Sequence, residues 1–75
     1  MNKTDLHDSI LNNAYINIDG KSYGVINYYY NPKDKDFVYE LYSLDTKDTT
    51  ARELTTLNTL VNLIKEGKKV TTTSP

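Results

Sequence analysis

Residues 15–31 read YINIDGKSYGVINYYYN, and this stretch decides the fold. Tyr15-Ile16-Asn17-Ile18 alternates with period two, as a half-buried strand does. Asp19-Gly20 follows, and a type I′ hairpin turn needs positive φ at both central residues, which this pair tolerates best. Tyr23 to Tyr30 is aromatic and β-branched, which suits a second strand. Asn31-Pro32-Lys33-Asp34-Lys35 is a polar loop, and Phe37 to Leu44 reads as a third strand. The short connections predict an antiparallel meander.

Helical signals flank the meander. Upstream, Thr4 is placed to cap a helix whose first turn holds Asp5 and Asp8, where the helix dipole favours negative charge. Leu6, Ile10, Leu11 and Ala14 form its apolar stripe, and Asn12-Asn13 is a stop signal. Downstream, Thr50-Ala51-Arg52-Glu53 fits a capping box, with Glu53 reaching back toward Thr50. Leu54, Leu57, Val61 and Ile64 then recur at helical spacing, with Leu60 on the flank and Leu63 opposite. Gly67 suits the C′ position, and Lys65, Lys68 and Lys69 suit the negative helix end. The expected fold class is α+β in the order α-β-β-β-α: a three-stranded antiparallel meander with two helices packed on one face. Residues 1–69 form the domain, and 70–75 are a flexible C-terminal tail or a short edge strand.

Pairing the second and third strands around the loop sets Tyr30 opposite Phe37, Tyr28 opposite Tyr39 and Ile26 opposite Leu41. With Tyr15, these make one aromatic face. The other face collects Ile16, Ile18, Tyr23, Val25, Tyr29, Val38, Tyr42 and Leu44, with Asn27 opposite Glu40. The more aliphatic face is expected to take the helices, leaving the aromatic face open. A one-residue slip would exchange the two sets. An open aromatic face of this size is a partner-binding or dimer surface, because tyrosine is enriched in interfaces. The alternatives are a wet sheet face tiled with tyrosine hydroxyls, or helices that straddle both faces.

Composition limits the chemistry. The chain has 75 residues, no Cys, one His and a formal net charge of −1. Disulfides and a Cys/His zinc site are excluded. Leu, Ile, Val and Phe supply 18 of the 75 residues, and seven Tyr add buriable area, so the chain is expected to fold. The absence of Cys fits a reducing, cytoplasmic setting. The first ten residues show no secretory pattern, and no stretch approaches the roughly 20 apolar residues of a membrane span. Abundant Lys, Asn, Tyr and Ile suit an AT-rich genome, phage or mobile element included.

No catalytic set is legible. His7 has Asp5, Asp8 and Ser9 as sequence neighbours but no placed nucleophile, and reads as a solvated helix histidine. Asp34 with Asp36, and Asp45 with Asp48, do not fit a calcium loop and read as solvated acids. Gly20 and Gly24 belong to a hairpin rather than a phosphate-binding turn. No enzyme activity, metal or cofactor is expected. The tyrosine-rich strands beside Lys33 and Lys35 suit single-stranded nucleic acid if Lys3, Lys21, Lys33 and Lys35 converge.

The α-β-β-β-α order resembles the double-stranded RNA-binding domain over most of the chain. That family carries a basic cluster at the start of its second helix. Here that start reads Asp48-Thr49-Thr50-Ala51-Arg52-Glu53, one base against two acids, so the resemblance stops at element order. The order is also similar to some small phage-encoded inhibitors of bacterial nucleases, anti-CRISPR proteins among them, without a shared motif. The leading expectation is a non-enzymatic protein-binding module, an accessory or inhibitory protein acting on a host protein. Its candidate partner-binding residues are Tyr15, Tyr28, Tyr30, Phe37, Tyr39, Asp34 and Asp36. The acidic run, which also includes Glu40, Asp45, Asp48 and Glu53, would steer it toward a basic partner. The alternatives are single-stranded nucleic-acid or RNA binding by the same tyrosines, and a structural homodimer.

Overall fold

The computed structural model describes residues 2–46 and 51–74. The order is α1 (Lys3–Asn13), β1 (Tyr15–Ile18), β2 (Lys21–Asn31), β3 (Asp36–Ser43), β4 (Glu53–Thr56), α2 (Leu57–Lys65) and β5 (Val70–Thr73). The class is α+β, with one five-stranded antiparallel sheet in the order β4-β3-β2-β1-β5. The three expected strands form its middle, and β4 and β5 extend it on either side. This order departs from the one that carried the likeness to the double-stranded RNA-binding domain.

Local chemistry explains most of the elements. Asp19 and Gly20 both take positive φ, 51° and 89°, as the hairpin between β1 and β2 requires. Asn31 and Asp36 close the next loop. There the Asn31 side chain accepts from the Lys33 N–H and donates to Asp34. Asn2 rather than Thr4 caps α1, its Oδ1 accepting from the Asp5 N–H at 2.8 Å. The helix ends on Ala14 in the left-handed region, φ 66°, one residue past the expected asparagine pair.

The second helix differs more. It starts at Leu57, capped by the Thr56 hydroxyl, which accepts from the Thr59 N–H at 3.1 Å. Residues 53–56, read as its first turn, are strand β4, paired with β3 from Val38 to Leu41. Two β-branched threonines at 55 and 56 favour a strand there, and ladder bonds to β3 outweigh the apolar spacing from Leu54. The expected cap at Thr50 lies outside the described residues, and Glu53 sits in a strand. At the other end Gly67 takes φ 87°, Lys68 N–H donates to Leu63 and Gly67 N–H to Ile64, a Schellman closure. This turn delivers the chain into β5, which pairs with β1 from Tyr15 to Ile18.

Tyr30–Phe37, Tyr28–Tyr39 and Asn27–Glu40 face each other as expected, but Leu41 faces Val25 rather than Ile26. The register shifts between Val25 and Asn27, a bulge at Ile26. One extra residue reverses the alternation, so Tyr23 and Val25 share a face with Tyr28 and Tyr30. That face is the one the helices cover. Its core joins Leu6 and Ile10 of α1, Leu57 and Leu60 of α2, and Ile16, Tyr23, Tyr39 and Leu41 of the sheet. Leu63, expected on the far side of α2, packs against the same core.

Candidate functional site

With both helices on one side, no described helix or strand covers the opposite sheet face. Residues opposite each other across antiparallel strands share a face, so its rows follow from the register. Thr73, Tyr15, Gly24 and Tyr42 form one row, and Thr71, Asn17 and Ser22 another. Asn27, Glu40 and Leu54 form a third, and Tyr29, Val38 and Thr56 a fourth. Leu54 is 65% exposed and Tyr29 47% exposed, while Tyr15 and Tyr42 are half-buried. Gly24 is buried beneath the Tyr42 ring, and a methyl at position 24 would collide with that ring. The ring therefore lies across the strand and keeps this part of the face flat. Glu40 is the one charged residue in these rows.

A second feature lies on the helix side. The His7 ring stacks on Phe37, centroids 3.9 Å apart, and meets Tyr28 edge-on at 6.0 Å. His7 Nδ1 is 2.6 Å from the Tyr39 hydroxyl, a hydrogen bond whose donor depends on the imidazole tautomer. His7 is thus packed and bonded rather than solvated. Tyr39 is fully buried, and burial first, then the nearby Asp36 carboxylate, pushes its phenol far above the ordinary tyrosine range. Burial also raises the Tyr23 phenol, helped by the Glu53 carboxylate that accepts its hydrogen bond and by Asp45. Beside His7 a cavity of about 260 Å³ is lined by Lys3, Thr4, Tyr30, Lys35, Asp36, Phe37 and Leu57.

The seven candidate residues are thereby dispersed. Tyr15 lies on the uncovered face. Tyr28 and Tyr30 lie on the helix side, about half exposed. Phe37 is half-buried under His7, and Tyr39 is core and cannot meet a partner. The cause is the bulge, which turns the expected open face toward the helices. Asp36 is 5% exposed, and both its oxygens accept from the Asn58 N–H at 3.3 Å, so it serves the start of α2. Asp34 accepts from Asn31 within its loop. Asp45 accepts from the Ser22 N–H, and Asp48 lies outside the described residues. Much of the expected acidic run is thus engaged within the fold. The sequence reading missed Tyr29, Tyr42 and Leu54 as surface residues. Gly24 facing Tyr42 was the available signal, since a glycine inside a strand marks a close approach.

Among the described residues no group of three or more His, Asp or Glu side chains is placed to hold a metal ion. No helix among them is long and apolar enough to cross a membrane. Comparison with protein-family models, with curated proteins and with solved structures returns no match.

Proposed function

We propose that this chain is a non-enzymatic binding module that meets a protein partner through the uncovered sheet face. One observation carries the reading: both helices pack on one side, leaving Tyr15, Tyr29, Tyr42 and Leu54 on the other, in rows where Glu40 is the one charge among the described residues. Tyrosine supplies large contact area at low entropy cost, and a flat face with few charges is cheap to desolvate. The engagement of His7 with Tyr39 and Phe37 supports a structural rather than catalytic imidazole. In this reading the chain is a cytoplasmic accessory or inhibitory protein of phage or mobile-element type, and its target is a host protein. The composition, free of cysteine and rich in Lys, Asn, Tyr and Ile, supports that setting.

The test replaces Tyr29 and Leu54 together by Ser and compares partner capture, read by mass spectrometry, with circular dichroism to check the fold. A protein retained by the unaltered chain and lost from a folded variant is the expected result. Equal capture by both removes the sheet face from the argument.

A second reading has its own observation. Lys3 and Lys35 line the same cavity as Tyr30, His7 and Phe37, and paired cations beside aromatic rings suit single-stranded nucleic acid. Retention of single-stranded RNA or DNA at low salt, lost on Lys3→Ala with Lys35→Ala, would favour it. No retention at low salt would dismiss it.

A further inference from the structure

The sheet has a third free edge, in its interior. β1 pairs with β2 only from Lys21 to Gly24, and the Val25 N–H donates to Ala14 where the chain turns into α1. From Asn27 to Asn31, β2 pairs with β3 on one side. On the other side no described residue pairs with it. Alternate residues of such a half-strand direct their backbone N–H and C=O groups outward, a template for another strand.

The three edges are not equally protected. β4 and β5 are four residues each. β4 carries Glu53, and β5 follows Lys68 and Lys69. Short strands and charges are the usual guards against edge pairing. The free segment of β2, five residues from Asn27 to Asn31, is scarcely longer but carries no charge: no charged residue lies between Lys21 and Lys33, and the first proline, Pro32, falls after the strand. Its sequence, Asn27-Tyr28-Tyr29-Tyr30-Asn31, reads the same in both directions.

We infer that two copies of this chain pair through this edge, antiparallel, with a two-fold axis through Tyr29. The palindrome makes the segment self-complementary: Tyr29 faces its counterpart, each Tyr28 faces a Tyr30, and each Asn27 an Asn31. A two-fold interface requires this, because the same patch must serve both partners. The pairing joins two five-stranded sheets into one and sets both helix layers on the same side. Apolar surface gathered at that margin supports the contact. Leu11, Ile26 and Tyr28 are each between 38% and 47% exposed there, around a cavity of about 160 Å³ that Ala14 and Val25 also line. The pairing leaves Tyr15, Tyr42 and Leu54 of the uncovered face free, and only Tyr29 is shared with the partner reading above.

Sedimentation of the purified chain without any partner tests the inference. A dimer at roughly 50 µM is expected, and a monomer overturns it. Tyr29→Lys places two ammonium groups across the axis at an exposed position and should weaken the dimer about tenfold or more, with the fold unchanged by circular dichroism. Two double variants test the register. Tyr28→Lys with Tyr30→Glu sets opposite charges across the axis and should retain the dimer. Tyr28→Lys with Tyr30→Lys sets like charges there and should lose it. If the two doubles dimerise equally, the register is wrong. If Leu54→Lys dissociates the dimer and Tyr29→Lys does not, self-contact runs through the sheet face and the edge pairing is overturned.

Discussion

Tyr39 makes the stability of this domain fall on the alkaline side, and the Tyr39→Phe variant isolates the effect. An unfolded tyrosine loses its proton near pH 10, while folded Tyr39 keeps it well above that, because the phenolate would be buried beside Asp36. Below pH 10 both states hold the proton and the stabilisation is complete. Above it the unfolded state binds fewer protons, so stability falls by about 1.4 kcal/mol per pH unit until the folded value is reached. A chain of this length has roughly 4–11 kcal/mol in total, so one unit is a sizeable share. Tyr39→Phe loses the hydrogen bond to His7, about 1 kcal/mol at pH 8. Its alkaline slope should be shallower by one proton, so the two stability curves cross about 0.7 units above pH 10. Urea unfolding followed by circular dichroism from about pH 8 to pH 11.5 measures both curves. Every other group is shared by the two proteins, so the difference reports residue 39. Parallel curves would refute the reasoning, since they would mean that the phenol ionises as freely folded as unfolded.

Two further substitutions act on helix ends. Ala14 holds a left-handed conformation that costs a residue with a β-carbon about 1–2 kcal/mol, so Ala14→Gly should stabilise by about 0.5–1 kcal/mol after the unfolded-state entropy is counted. Gly67→Ala should destabilise by about 1 kcal/mol through the same term reversed; urea midpoints read both. Asp36→Ala removes the acceptor at the start of α2 and should cost about 1–2 kcal/mol. Asp36→Asn takes away the charge that helps raise Tyr39, so the alkaline loss should end at a lower pH.

The sequence made the middle of the fold readable because its signals there are local. Asp19-Gly20 specifies its own turn, and Asn31 to Asp36 closes on its own side chains. The bulge at Ile26 had no such marker. Val-Ile-Asn would run equally well without one, and tertiary packing chose it, bringing Tyr23 and Val25 to the core beside Tyr28. That one residue moved the open face, and with it the candidate site, to the opposite side. Strand β4 was hidden for a different reason. Leu54 continues the spacing of Leu57, Val61 and Ile64 backward, so a helix pattern ran over a segment whose pairing partners lie 12 to 18 residues earlier.

The fastening of α1 to β5 has a consequence for how the chain is made. Ser9 and Asn13 bond to Thr72, and Ser74 bonds to Asn13, across separations of 59 to 63 residues. Every other element of the sheet leaves the ribosome before β5 does. Until then β1 lacks its second neighbour, and Ser9 and Asn13 of α1, which meet Thr72, have only each other and water. The early part of the chain therefore cannot settle as a finished unit and wait for the rest. A pause in synthesis before residue 70 would leave β1 paired on one side only, and a cleavage between α1 and β5 would leave the bonds of Ser9 and Asn13 to Thr72 and Ser74 as links between two separate pieces.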